Sequence, residues 1–493
     1  MASRHRTALA RTALVAAAAL TVSSCGLHVS KELRAQGIRG AVGQGTAPSG
    51  GTPVSTTGGD AVTGTTGGPA PVTSTGPNGT TTGGPGGGTT EGTGPQAGVG
   101  PVAPAPAGGN GGATDIGVTA TQINLGAVVT LSGPVPGLFA GDAYGARAYF
   151  AYVNSLGGIF GRQLNLTVAD DQLDCGINRT QHLSLLPKVL GFTSSLSLYD
   201  NCGAAVLAEH KDVPDVSLSF STQAGSLPNG FSLNPLVPGY RLGSLAYYKQ
   251  NFPDAVKHLG TLVGNIGSAV EIWKGIQAAA ESIGYHKDYE RDYSPGETDF
   301  TADVIQMRQA GVRMLYFVSA DSHTISRVLN TAAQQNWHPD LIAVGAGDAA
   351  YDPSFLPEAG AAAEGVYADQ PHAAFFNPTD AAIPGVKLYQ EWMGKIGQSN
   401  HEDLYSAWGW GSARLAVQAL KAAGPNLTRA SWLAAQKNVH SFDGDGMFAP
   451  SDPSGKKPST CYVVLHVTGG KWVRKDTPAT SFRCDAKYFY YKP

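Results

Sequence analysis

The chain has 493 residues, among them 65 glycines and 31 prolines, and a formal net charge of −3 at pH 7. That balance, with no basic stripe, RNA-binding aromatic motif or zinc-finger spacing, argues against a nucleic acid partner. Beyond residue 25 no apolar run approaches the ~20 residues a membrane-spanning helix needs, so no channel is expected from this chain alone.

The N-terminus reads as an export signal. Arg4, Arg6 and Arg11 supply positive charge, an apolar run covers 12–22, and Val22-Ser23-Ser24-Cys25 closes it. This is the layout of a cleaved secretory signal. The small residues before Cys25 suit a peptidase pocket, and its thiol is a nucleophile that can carry lipid. The pattern resembles the lipobox of bacterial lipoproteins. That resemblance implies a signal peptide over 1–24, lipidation at Cys25, and an extracytoplasmic chain held to the membrane through a lipid anchor. An ordinary signal peptide with a chance cysteine is the plainer alternative. Residues 25–40 then form a membrane-proximal segment. Residues 41–113 are nearly all Gly, Thr, Pro, Ser and Ala. Such a stretch buries too little apolar surface to offset the entropy of ordering it. It is expected to be a disordered tether, roughly 45 Å in root-mean-square span.

The following ~370 residues suit two domains of ordinary size. An apolar run predicts a strand over 123–131. Ala143, Ala146, Phe150 and Val153 share one face of a helix that opens at Asp142 and ends at Gly157-Gly158. A strand over 164–168, a helix over 179–189, an apolar segment over 192–198, a helix over 202–210 capped by Asn201, and a strand over 213–220 complete a first block. After Pro238 the rhythm restarts. Helices are expected over 240–251, 268–283 (capped by Ser268), 300–309 and 325–335, and strands over 259–263, 312–318 and 341–344. Strands alternating with helices imply parallel sheets with right-handed crossovers, and two blocks imply two lobes. Helices over 388–396, 404–423 and 430–439 return to cover the first lobe. A hairpin around Gly469-Gly470 ends the pattern.

Cys175, Cys202, Cys461 and Cys484 form an even set for an oxidising compartment. Three pairings are possible. Cys175 with Cys202 and Cys461 with Cys484 closes two local loops, each contributing ~3 kcal/mol. A metal site is the alternative, but there is no Cys-x-x-Cys and no His pair at ligand spacing. No metal and no cofactor are expected.

Several motifs carry a resemblance. Leu131-Ser132-Gly133-Pro134, Gly145-Ala146, Asn154 and Gly157-Gly158-Ile159-Phe160-Gly161-Arg162 come first. Ala169-Asp170-Asp171, Cys175 and Cys202 follow, then Asp299-Phe300, Ala363-Glu364-Gly365-Val366-Tyr367 and Phe442-Asp443-Gly444-Asp445-Gly446. In this order and spacing the chain resembles the leucine/isoleucine/valine-binding proteins, solute-binding proteins of ABC importers. The resemblance implies an α/β fold of the type I periplasmic-binding-protein kind, with two doubly wound parallel-sheet lobes joined by three crossovers. Lobe 1 is then 114–234 with 370–438, and lobe 2 is 235–369 with 439–493. It also implies a small amino-acid-like, carboxylate or amide solute and a partnership with an ABC permease and its cytoplasmic ATPase. A receptor that signals to a membrane partner instead of transporting shares every one of these features.

Ligands of open parallel sheets lie beyond the carboxyl ends of the strands. The loops there are 132–142, 199–203, 220–223, 264–268, 319–323 and 345–348. Ser221 and Thr222 offer hydroxyls, on the loop with which the family holds an α-amino acid. Asn201 and Gly203 offer backbone donors at a helix start, suited to a carboxylate. Asp321 and Asp348 are candidate acceptors for an ammonium, with a capping role as the alternative. Phe139, Phe220 and Trp410 are candidate apolar walls, Trp410 also fitting a core position. The chain departs from leucine-type binders. Gly203 stands where they have serine after the second cysteine, Ser268 lies near their second-lobe tyrosine, and Asp348 sits one residue from their ammonium-binding acid. No enzyme is expected. Gly345-x-Gly347-x-x-Ala350 lacks the helix and acid of a dinucleotide loop, Gly455-Lys456-Lys457 lacks the hydroxyl residue of a P-loop, and no nucleophile elbow or His-Glu-x-x-His occurs.

Overall fold

The computed structural model describes residues 104–345, 349–377, 379–476 and 482–492. The expected signal peptide, Cys25 and most of the expected tether lie outside the described residues, as does Asp348.

Five parallel strands form one sheet in the order β2-β1-β3-β4-β5: β1 (Gln122–Val129), β2 (Gln163–Asp170), β3 (Phe192–Thr193), β4 (Asp215–Val216) and β5 (Gly230–Phe231). A short strand, β6 (Gly239–Arg241), then leads into a second sheet. It holds β7 (Leu259–Gly264), β8 (Lys287–Tyr293), β9 (Met314–Val318), β10 (Leu341–Gly345) and β11 (Val366–Gln370), with β12 (Val463–Thr468) and β13 (Lys471–Arg474) added at one edge. Its parallel part runs β8-β7-β9-β10-β11, so in both sheets the order of strands reverses after the second one. The terminal hairpin pairs antiparallel to β11, and β14 (Tyr488–Tyr490) pairs with β6. The chain therefore passes between the sheets three times: after β5, after β11 and before β12.

Helices connect the strands as expected from their apolar spacing, and those after β11 return to the first sheet. Helix Leu404–Ala422 packs along helix Ala140–Ser155. The contact is close because both helices present glycine there. A Cβ on Gly145 would lie 1.8 Å from the Ser406 carbonyl, and one on Gly409 would lie 1.9 Å from that of Asp142. Helix Leu404–Ala422 is buried nearly throughout, which explains its apolar character on all sides. Two disulfides join Cys175 to Cys202 and Cys461 to Cys484, with Cα–Cα distances of 5.5 and 4.1 Å.

Structure begins ahead of residue 114. Arg162 is fully buried. It donates to the carbonyls of Thr119 (2.8 Å), Pro425 (2.9 Å), Gly112 (2.9 Å) and Asn110. A guanidinium with all its partners on backbone oxygens fixes the segment leading into β1. Two capping expectations also change. Helix Asp200–Glu209 starts before Asn201 and has no side-chain cap, and helix Gly267–Ser282 starts before Ser268.

Candidate functional site

The carboxyl ends of β1, β3 and β4 face those of β7, β9 and β10 across a cavity of about 60 Å³. Its first-sheet side carries Phe139, Phe220, Tyr405 and Trp408, and its second-sheet side carries Tyr293 and Asp321. The rings support each other. Phe139 stacks on Phe220 with centroids 5.6 Å apart and meets Tyr405 edge-on at 4.9 Å. Trp408 lies 6.0 Å from Tyr405 and 6.3 Å from Phe220. Such contacts add about 0.5–1.5 kcal/mol each beyond area burial, so the aromatic wall stands without a ligand. Phe220 and Trp408 also border a larger cavity, of about 350 Å³, on the side of the crossovers.

Asp403 positions much of this wall. It caps helix Leu404–Ala422 through a reciprocal capping box with Ser406, which satisfies otherwise orphaned donors. Tyr405 and Trp408, three residues apart, then share one helix face. Trp410, two residues on, is rotated roughly 200° about the axis. It is fully buried, with edge contacts to Tyr149 at 4.8 Å and Tyr389 at 5.7 Å. Trp410 is thus a core residue and not a cleft wall.

Other expected ligand residues are occupied by the protein itself. The Asp200 carboxylate accepts the backbone N–H groups of Phe220 (2.6 Å) and Ser221 (3.0 Å). Burial pushes its pKa up to about 6, while hydrogen bonds from Ser221, Phe220 and Asn201 pull the other way. Ser221 is buried and caps the turn Thr222–Gly225 by accepting from Ala224 N. Gly203 is a packing position: a Cβ there would sit 2.3 Å from the His182 ring. Asn201 is exposed on helix Asp200–Glu209. The Ser268 hydroxyl donates to the Leu198 carbonyl at 2.7 Å, joining the segment after β7 to the segment after β3. Thr222 N–H donates to Glu271 at 3.2 Å, and Thr222 borders the larger cavity. Asp321 does border the cleft, but it also caps helix Ser322–Gln334 by accepting Thr324 N (3.0 Å) and Thr324 Oγ1 (2.7 Å).

The groups that remain favour apolar recognition with hydroxyl donors. Burial, with Asp321 next, raises the pKa of Tyr293 and Tyr405 well above the usual phenol range, so both stay protonated. The Trp408 indole N–H is buried with no acceptor among the described residues. Tyr293, Tyr405 and Trp408 are the residues that sequence reasoning missed. The three-residue spacing of Tyr405 and Trp408 is visible in the sequence, but not which face of the helix meets the cleft.

Beside the aromatic wall lie two buried acids. Asp142 has both carboxylate oxygens buried without a partner among the described residues. Burial, then Asp403, raises its pKa well above 3.8. Burial likewise lifts Asp403 to about 7, with Asp352 adding to the rise. Among the described residues no group of three or more His, Cys, Asp or Glu could hold a metal ion, and no helix is long and apolar enough to cross a membrane.

The family model described as periplasmic binding protein matches residues 122–471. Solved structures with the same fold include three with distinct solutes or names. A branched-chain amino acid ABC transporter protein from Thermus thermophilus with bound valine is 18% identical at a TM-score of 0.63, covering 73% of this chain and 97% of that one. A fatty acid ABC transporter substrate-binding protein from Thermomonospora curvata is 20% identical at 0.62, covering 79% and 97%. A solute-binding protein from R. palustris in complex with 4-hydroxybenzoate is 17% identical at 0.59, covering 76% and 98%. At these identities the likeness establishes the fold. No curated protein sequence matches the chain.

Proposed function

The chain belongs to the periplasmic binding protein family, and from that premise we propose that it is an extracytoplasmic receptor that closes two lobes on one small solute and presents it to an ABC permease. One observation carries the reading most directly: an aromatic cavity lies where the strand ends of the two sheets meet, bridged by the Ser268–Leu198 hydrogen bond. Closure is favoured by a solute only through contacts with both sides, and Phe139, Phe220, Tyr405 and Trp408 on one side face Tyr293 and Asp321 on the other.

The solute is a mainly apolar or aromatic molecule with a carboxylate or amide end. The ring-lined wall supplies the apolar contacts. The Tyr405 hydroxyl and the indole N–H of Trp408, which has no acceptor among the described residues, suit an acceptor oxygen. A free amino acid fits less well, because Asp321 already serves a helix cap and the backbone donors at Phe220 and Ser221 already serve Asp200. Lipidation at Cys25 would keep such a receptor beside its permease, and the Gly- and Thr-rich segment would give it reach. No catalytic step belongs to this reading.

A thermal-shift screen of the full chain tests it, with valine, 4-hydroxybenzoate, benzamide and short carboxylates as probes. A melting-temperature rise with at least one aromatic or apolar acid is expected, and Phe139→Ala should abolish it. No rise with any probe would overturn the receptor reading. Mass spectrometry of the mature N-terminus tests the anchor: an unmodified Cys25 would sink it.

A further inference from the structure

The cleft cavity is too small to be the whole binding compartment. At about 60 Å³ it falls well below the ~300–1,000 Å³ typical of small-molecule sites, whereas the cavity behind it measures about 350 Å³. Phe220 and Trp408 line both, so the two cavities are separated by a pair of side chains. The larger one is walled by all three passages between the sheets: Pro235 and Pro238 from the first, Pro371 from the second, and Pro458 from the third. Proline at each passage fixes φ, which gives the chamber stiff walls on the side about which the lobes would turn.

One face of helix Gly267–Ser282 completes the chamber, with Gly267, Val270, Glu271 and Lys274 at helical spacing. The charges along it are not equivalent. Arg241 is committed to Asp369 at 2.9 Å, and Glu271 accepts Thr222 N–H at 3.2 Å. Lys274 is exposed and makes no hydrogen bond or ion pair among the described residues. Its stem borders an apolar interior while its ammonium stays in water, the usual arrangement for a lysine at such an edge.

We propose that this chamber is a second compartment of the solute site, taking the apolar chain of an elongated monocarboxylate whose carboxylate pairs with Lys274 and whose chain runs inward to Phe220 and Trp408. The proposal rests on the receptor reading and extends it from a compact solute, whose acceptor oxygen meets Tyr405 and Trp408 in the cleft, to a long one that enters from the crossover side with its apolar end toward the cleft. Because the passages between the sheets form the walls, a chain lying there touches the segments about which the lobes would turn. Filling the chamber and closing the cleft are then one event.

The test uses the full chain and straight-chain carboxylates from butyrate to decanoate, read by calorimetry and by tryptophan fluorescence. Affinity should rise about fourfold per added methylene, the factor expected for burying one CH₂. Decanol should bind more weakly than decanoate, and Lys274→Glu should remove that difference. Val270→Trp narrows the chamber one turn from Lys274 and should weaken decanoate at least tenfold, with a smaller loss for butyrate. Gly267→Leu is a second filling variant, at a position where a new Cβ meets nothing within 4 Å. Chain-length independence, or decanoate affinity unchanged in both filling variants, would overturn the chamber. The two readings fail separately: if short solutes stabilise the protein and added methylenes contribute nothing, the chamber falls and the cleft stands. If no solute of any length binds, both fall.

Discussion

Replacing Asp403 by asparagine should make the protein more stable above about pH 4, with a gain that grows up to about neutral pH. Burial raises the Asp403 pKa from an ordinary 3.8 to about 7, and Asp142 beside it moves the same way. Between those values the folded chain holds a proton that the unfolded chain releases, so stability falls as pH rises through the window. The slope is up to about 1.4 kcal/mol per pH unit and group, and over about three units Asp403 alone accounts for on the order of 4 kcal/mol. His182 works in the opposite direction, since burial lowers its pKa to about 4 and stability gained from it rises with pH. Comparing variant with wild type at each pH cancels that term. Asparagine caps a helix about as well as aspartate, so Asp403→Asn should match wild type only below the ordinary carboxylate range, and should already lead it by about 2 kcal/mol at pH 5. At pH 8 it should melt on the order of 10 °C higher, at a few degrees per kcal/mol. The assay is thermal unfolding followed by circular dichroism at pH 5, 6, 7 and 8. A difference that does not grow with pH, or a variant that melts below wild type at pH 8, would refute the assignment of a buried acid pair.

Trp410→Ala should cost about 3–5 kcal/mol in urea unfolding, because the side chain is fully buried between Tyr149 and Tyr389; a loss under 1 kcal/mol would contradict its core placement. Gly203→Ser, which restores the serine of leucine-type binders, should destabilise by about 1–3 kcal/mol through overpacking, given the His182 ring 2.3 Å from its Cβ; gained affinity for leucine at unchanged stability would be the contrary outcome. Reduction of the disulfides opens links spanning 27 and 23 residues and should lower stability by about 3 kcal/mol each, measured with and without reductant under otherwise identical conditions. Ser268→Ala removes one bond across the cleft, worth about 0.5–1.5 kcal/mol net. The radius of gyration from small-angle scattering should increase in the ligand-free protein, and an unchanged radius would mean that the bond does not hold the lobes together.

Periodicity alone made most of the fold legible. The runs over 123–131, 259–263 and 312–318 each became a strand of a sheet, and the long apolar pattern over 404–423 became a buried helix. β8 escaped notice because Lys287–Tyr293 is mostly charged and polar. It lies at the sheet edge, where charge discourages pairing with another chain. β14 was missed because a three-residue strand has too little length for a period. The site was less legible than the fold. Phe139, Phe220 and Asp321 could be placed from the rule that loops after parallel strands line the cleft. Tyr405 and Trp408 come from a helix the chain adds after its second passage between the sheets, and no loop rule points to them.

Local sequence determined the element types, the family motifs, the even set of cysteines and the N-terminal signal pattern, because each depends on neighbours within a few residues or on order along the chain. Tertiary structure decided which polar groups remain free for a solute. Asp200 takes the donors of Phe220 and Ser221, Ser268 is spent on Leu198, and a rotation of two helix positions puts Trp408 at the cleft and Trp410 in the core. Hydrogen-bonding capacity is finite, and its use by partners distant in sequence shows only when the chain is folded.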